Sequence, residues 1–132
     1  MLTVEEVREF MYKDIYAVET TGVTIEEVDA EGRVHVRMEV DDRHANGIGR
    51  VMGGALFTLA DFAFASTVYA NEILSTAING SMEFLSAGKG PYLTAVGYLD
   101  KSGRKILFGG ADVFDDSGKL IARLTAQSYR LE

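Results

Sequence analysis

The sequence predicts an α+β fold in which an antiparallel β-sheet wraps around one long central α-helix. Three observations carry this. Residues 51–71, VMGGALFTLADFAFASTVYAN, are apolar on every side at helical spacing, so they read as a helix buried all round. Three or four strand-like stretches follow it, joined by turns too short for crossovers, which favours antiparallel neighbours. A pair of stretches before it flanks a tight turn. A helix this apolar needs a sheet to cover it, and the two together make a layered α+β domain.

In chain order, residues 3–13 (TVEEVREFMYK) form a short amphipathic helix, with Thr3 and Glu6 as a capping box and Val4, Val7, Phe10 and Met11 as its apolar stripe. Residues 22–29 and 33–41 form a hairpin around Ala30, Glu31 and Gly32. In its second strand Val34, Val36, Met38 and Val40 alternate with His35, Arg37 and Glu39, so one face is wet and His35 belongs to it. Residues 42–52 are a turn-rich loop leading into the long helix. The later strands cover roughly 76–87, 91–101, 104–115 and 119–131. Gly88, Gly90 and Pro91 interrupt the first two, Ser102-Gly103 suits a tight turn before Arg104, and Asp115-Asp116-Ser117-Gly118 suits another before Lys119.

The 132 residues suit one domain, 1–132, large enough to hold a core without staples. A formal net charge of -7 with no basic stripe argues against nucleic acid as a partner. There is no cysteine, which excludes disulfides, thiol catalysis and cysteine-bound zinc, and two histidines are too few for a metal site. Val51 to Ala70 is long enough to span a bilayer, but Asp61 near its centre makes insertion costly. With no secretory signal at the start of the chain, the expectation is a cytoplasmic protein without membrane association.

Asp61 is the only charged residue between Arg50 and Glu72. A lone carboxylate in such a helix either has a raised pKa or needs dedicated partners, and perturbed carboxylates concentrate at functional sites. Gly53 and Gly54 stand at the start of the helix, where a glycine pair lets a ligand approach the backbone and free amides hold negative charge or a developing oxyanion. Eight residues separate Gly53 from Asp61, roughly 12 Å along one helix. A base and an oxyanion donor serving one carbonyl must lie within a few ångströms of it, so a shared site needs Asp61 of one chain to face Gly53 of another. Open edge strands on the sheet agree with a dimer.

The run Asn46-Gly47-Ile48-Gly49-Arg50-Val51-Met52-Gly53-Gly54, followed by Leu59-Ala60-Asp61, resembles the motif of the hotdog-fold thioesterases, in particular the branch named for phenylacetic acid degradation. Its pattern is Asn, two residues, Gly, two residues, His-Gly-Gly, then Leu-x-Asp within the helix. The likeness continues through ALFTLADFAFA and the strand EFLSAG and covers nearly the whole chain. It implies the hotdog fold and hydrolysis of an acyl-CoA thioester, with CoA as part of the substrate and no separate cofactor. By resemblance Asp61 is general base or nucleophile, the Gly53 amide polarises the thioester carbonyl, and Asn46 positions water or substrate from the opposite chain. A homodimer, often assembled into a tetramer, is implied as well. Thr76, at the start of the next strand, is a candidate to hold the water near the carboxylate.

Coenzyme A brings phosphates. Arg104 and Lys105 are the candidate basic pair, with Arg50 and the outward amide of Gly54 beside the motif. Phe57, Phe62, Phe64 and Phe84 are divided between core and acyl pocket, which leaves aryl and alkyl substrates both open. One departure stands out: the motif His is Met52 here, which has no comparable polar group. That favours the alternative, a non-catalytic acyl-CoA or aromatic-ligand binding protein on the same fold. His44 is close by and reads as structural or solvated. A hotdog dehydratase needs a His at the helix entrance, where none stands.

Overall fold

In a computed structural model, which describes all 132 residues, Thr3 opens α1 (Val4–Met11) with the expected capping box, its hydroxyl accepting from the Glu6 amide while the Glu6 carboxylate accepts from the Thr3 amide. Val7 and Met11 are buried, and Val4 and Phe10 pack at the margin of the core. A short π-helical turn, Tyr16–Thr20, follows; no periodicity in the sequence announces it.

The hairpin pairs β1 (Val23–Val28) with β2 (Val34–Glu39). Its turn rests on Asp29, whose carboxylate accepts from the Glu31 and Arg33 amides. A 3-10 turn at Asp42–His44 leads through the loop to α2 (Gly53–Ala70). Then come β3 (Ser75–Phe84), β4 (Tyr92–Ser102), β5 (Ile106–Phe114) and β6 (Leu120–Arg130). The strands form one antiparallel sheet in the order β1-β2-β4-β5-β6-β3. β3 follows α2 in sequence yet lies at the far edge, so α2 crosses the concave face of the sheet and its buried side packs on β2, β4 and β5. The core joins Leu59, Phe62 and Phe64 of α2 to Val36, Leu93, Leu107 and Leu124 of the strands.

Gly97 sets how closely α2 meets β4. A Cβ there would lie 2.3 Å from both the Ala63 carbonyl oxygen and Thr67 Oγ1. Thr67 is bonded already, donating to Ala63 and accepting from the Val34 amide at 3.0 Å, so helix and sheet are pinned at this point.

The helix departs from the expected all-round burial. Gly54, Phe57, Thr58, Asp61, Ala65 and Tyr69 stay open to solvent in various degrees. Spaced by three and four residues, they form one stripe along the helix, beside the edge strand β3. Ten of the helix's residues are buried, and they form the opposite faces. β3 is itself exposed along nearly its whole length. An apolar sequence shows that a helix shuns water, but not whether its own sheet covers every side. No helix of the molecule is long and apolar enough to cross a membrane.

Candidate active site

Asp61 projects from the open stripe of α2 into a hollow of about 250 Å³. The floor of the hollow is α2, through Phe64, Ala65, Val68 and Tyr69. One wall is α1, through Phe10 and Met11, and the other is the start of β3 with Ser75, Thr76 and Ala77. No donor in the chain hydrogen-bonds the Asp61 carboxylate, so the capping role open to a helical acid is not the one it takes here. Burial pushes its pKa up, and the negative charge of Asp14 pushes it further the same way. An acid kept above its ordinary range and facing an apolar hollow is poised to accept a proton.

Thr76 shares this hollow, and its hydroxyl makes no hydrogen bond within the chain. Ser75 differs: its Oγ is paired with Ser128 Oγ at 2.6 Å.

The other half of the predicted site lies at the N-terminal end of α2. Met52 is the N-cap of α2, offering no side-chain cap; its amide donates to the His44 carbonyl at 2.7 Å, and its carbonyl accepts from Ala55 and Leu56. The amides of Gly53 and Gly54 donate to nothing in the chain and point outward at the positive end of the helix. The Phe84 ring, at the end of β3, packs over Gly53. Asn46 is exposed, with its Oδ1 accepting from the Ile48 and Arg50 amides at 3.0 Å each, which shapes the entrance loop and leaves the side-chain amide group free to donate. Arg50 is exposed in the same loop. His44 is structural: it is 3% exposed, Nδ1 accepts from the Asp41 amide and Nε2 donates to the Thr21 carbonyl. His35, on the wet face of β2, pairs with Asp29 at 3.0 Å.

Arg104 and Lys105 are exposed in the β4–β5 turn. The Lys105 carbonyl accepts from the Arg130 amide, and Arg130 stands opposite Ser75 in the sheet. They therefore belong to the Ser75 end of β3, with Asp61 and Thr76. Gly53, Gly54, Asn46 and Arg50 belong to the Phe84 end. Ten residues of strand separate the two ends, roughly 30 Å. The basic residues do not form one cluster in a single chain, because spacing along a sequence says nothing of which end of a strand a loop reaches.

Of the four aromatic candidates, Phe62 and Phe64 are core, with Phe64 also at the floor of the hollow; Phe57 is partly open on the stripe, and Phe84 is exposed over Gly53. Sequence reasoning assigned Phe10 and Met11 to the core alone and made nothing of Tyr69 or Asp14. All four bear on the Asp61 hollow. Phe10 and Met11 stood out only as part of the apolar stripe of the first helix, Tyr69 as one more position of α2 and Asp14 as a charge after α1, and none of this says what they meet across space.

A six-stranded antiparallel sheet wrapped around one long helix is the hotdog fold. The sequence model of the thioesterase superfamily matches residues 48–122, and the chain belongs to that family. A putative esterase of Archaeoglobus fulgidus is 33% identical over 97% of this chain and 83% of its own length. The acyl-coenzyme A thioesterase PaaI of Escherichia coli is 29% identical over 92% of this chain and 86% of its own. The structure of that E. coli PaaI protein, from the phenylacetic acid degradation operon, superposes with a TM-score of 0.88 at 26% identity, covering 98% of this chain and 94% of that one. A hypothetical thioesterase protein of Streptococcus pneumoniae solved with coenzyme A has the same fold, with a TM-score of 0.83 at 24% identity over 93% of this chain and 95% of its own.

Proposed function

We propose that the protein hydrolyses an acyl- or aryl-CoA thioester to the free acid and CoA, with each active site built from two copies of the chain. The observation that carries this is the unpaired Asp61 carboxylate facing an apolar hollow, with the free Gly53 amide eight residues away, roughly 12 Å along the same helix, and unable to reach the same carbonyl from the same chain. A second copy removes the conflict. β3 is an exposed edge strand, and antiparallel pairing with its own copy sets the Ser75 end of one strand against the Phe84 end of the other. Asp61, Thr76, Arg104 and Lys105 of one chain then share a site with Asn46, Arg50, Gly53 and Gly54 of its partner. The open stripe of α2 is covered by the same pairing.

In that site the thioester carbonyl oxygen accepts from the Gly53 amide, where negative charge is best held as it develops. Asp61 takes a proton from water held by Thr76 and Asn46; the water oxygen bonds to the carbonyl carbon, the C–S bond breaks, and the proton leaves with the thiolate sulfur. Direct attack by Asp61 followed by hydrolysis of the anhydride uses the same groups. A thiolate leaves readily, so a carboxylate and an oxyanion hole suffice for this chemistry without metal or cofactor. In this reading Arg104 and Lys105 of one chain, with Arg50 and the Gly54 amide of its partner, hold the CoA phosphates. The coenzyme A bound by the S. pneumoniae relative, and the acyl-coenzyme A named for the E. coli one, support the choice of carrier.

Thiol release from short, medium and aryl acyl-CoAs, measured on wild type and Asp61→Asn, tests this. Removing the base lowers kcat by about 10²–10⁴-fold. Equal turnover by the variant overturns the reading. Met52 favours one other outcome, because its side chain is exposed at the helix entrance and offers no polar group: thioester binding by calorimetry, equal in wild type and Asp61→Asn, with no turnover by either, identifies a ligand-binding protein.

A further inference from the structure

Two aromatic rings border the Asp61 hollow on one side. Phe10 of α1 and Tyr69 of α2 stack with centroids 4.2 Å apart and planes 15° from parallel. On the other side of the same two rings lies a separate surface hollow, bordered by Leu2, Glu6, Glu9 and Lys13. Phe10 and Tyr69 are the only residues common to both. The stacked pair is therefore a partition between an apolar cavity holding the carboxylate and a charged groove open to water.

The partition is held in place. The Arg8 guanidinium donates to the Ile25 carbonyl at 2.7 and 3.1 Å, and the Tyr12 hydroxyl accepts from the Ile25 amide at 3.0 Å, which ties α1 to β1 on both sides of Phe10. Lys13 Nζ lies 5.3 Å from the Phe10 ring centroid, adding a cation–π contact on the groove side. A wall built of two stacked rings on two tethered helices gives way less readily than one of flexible side chains.

We infer that the Phe10–Tyr69 pair is the length stop of the acyl pocket, so that the protein takes short and medium acyl groups and rejects longer ones. This rests on the thioesterase reading of the Asp61 hollow. A volume of about 250 Å³, at about 30 Å³ for each water-sized group, holds roughly eight methylene-sized units. A longer chain meets the rings. Removing either ring joins the cavity to the groove, whose charged rim lets a chain end emerge into water.

The test is a series of straight-chain acyl-CoAs from four to sixteen carbons, followed both as thiol release and as calorimetric binding, on wild type, Phe10→Ala, Tyr69→Ala, the milder Phe10→Leu, and Val7→Ala. Val7 is fully buried in α1 but touches neither hollow, so its loss loosens the helix without opening the wall. In wild type, kcat/KM falls off beyond about eight carbons. In Phe10→Ala and Tyr69→Ala the ratio of long-chain to medium-chain kcat/KM rises by about 10-fold or more, the scale on which apolar pockets discriminate. Phe10→Leu shifts it less, and Val7→Ala leaves it alone. An unchanged profile in folded Phe10 and Tyr69 variants, or the same shift in Val7→Ala, overturns the inference while the thioesterase reading stands. No turnover by wild type on any chain, nor on an aryl-CoA run beside the series, overturns the thioesterase reading instead; the length stop is then judged by the binding series, where the same shift supports it and a flat profile sinks it.

Discussion

Asp61 shows how one side chain ties stability to chemistry. Its pKa is raised by burial and by Asp14, so the folded protein holds the proton more tightly than the unfolded chain does. Stability then falls as pH rises from the ordinary aspartate value of 3.8 through the raised folded value. Asp61→Asn is expected to melt higher than wild type at pH 7, with the gain vanishing below the ordinary aspartate range; a lower melting point at pH 7 contradicts the assignment. The acid limb of kcat/KM lies above the ordinary aspartate value for the same reason. Asp14→Asn moves it to lower pH, and added salt shrinks the difference between the two proteins. Asp29 has the opposite sign. Partial burial works against its charge, but the bonds from His35, Arg33 and Glu31, with the Arg33 charge, outweigh that and hold it at about 2. Its contribution is present above 3.8 and lost as pH falls through about 2. Asp29→Asn therefore costs about 1 kcal/mol at neutral pH, seen by urea unfolding, and the cost closes in strong acid.

At the scale of elements, the join of α2 to β4 is a place of close approach. The Ala63 carbonyl and the Thr67 hydroxyl fill the space where a Gly97 side chain would stand, and backbone cannot rotate away as a side chain end can. Gly97→Ala is expected to cost about 2–3 kcal/mol in denaturant unfolding, the range for overpacking a rigid site. Gly53→Ala meets only the exposed Phe84 ring, at 3.1 Å, and is expected to cost well under about 1 kcal/mol. If both substitutions cost the same, the close approach at Gly97 is not what spaces helix and sheet.

For the whole molecule, the central expectation is that neither chain holds a complete site. If Asp61 of one copy works with Asn46 of the other, Asp61→Asn and Asn46→Ala chains are each impaired alone. A dimer containing one of each keeps one site with both residues intact. Random assembly then restores about a quarter of wild-type sites, since half the dimers are mixed and one of their two sites is whole. Co-expressing the two chains with different tags and assaying thiol release checks this. No recovery in isolated mixed dimers means that Asp61 and Asn46 of the same chain act together, and the two-chain site is wrong.

How much was legible follows from the range of each interaction. The capping box at Thr3, the hairpin turn around Ala30–Gly32, the strand alternation through Val34–Val40 and the turn at Asp115 are contacts within a few residues, and the sequence alone determined them. The isolation of Asp61 in apolar surroundings was legible too, because burying one charge among many apolar groups is a property of composition along the chain. So was the clash of distances between Gly53 and Asp61, which depends only on helix rise. Only the tertiary structure decided which side of α2 the sheet leaves bare, that Arg104 and Lys105 reach the Ser75 end of β3 while Arg50 reaches the Phe84 end, and that Phe10 meets Tyr69. Those depend on strand order and on the angle at which α1 docks, where residues distant in sequence meet through packing that no local pattern records.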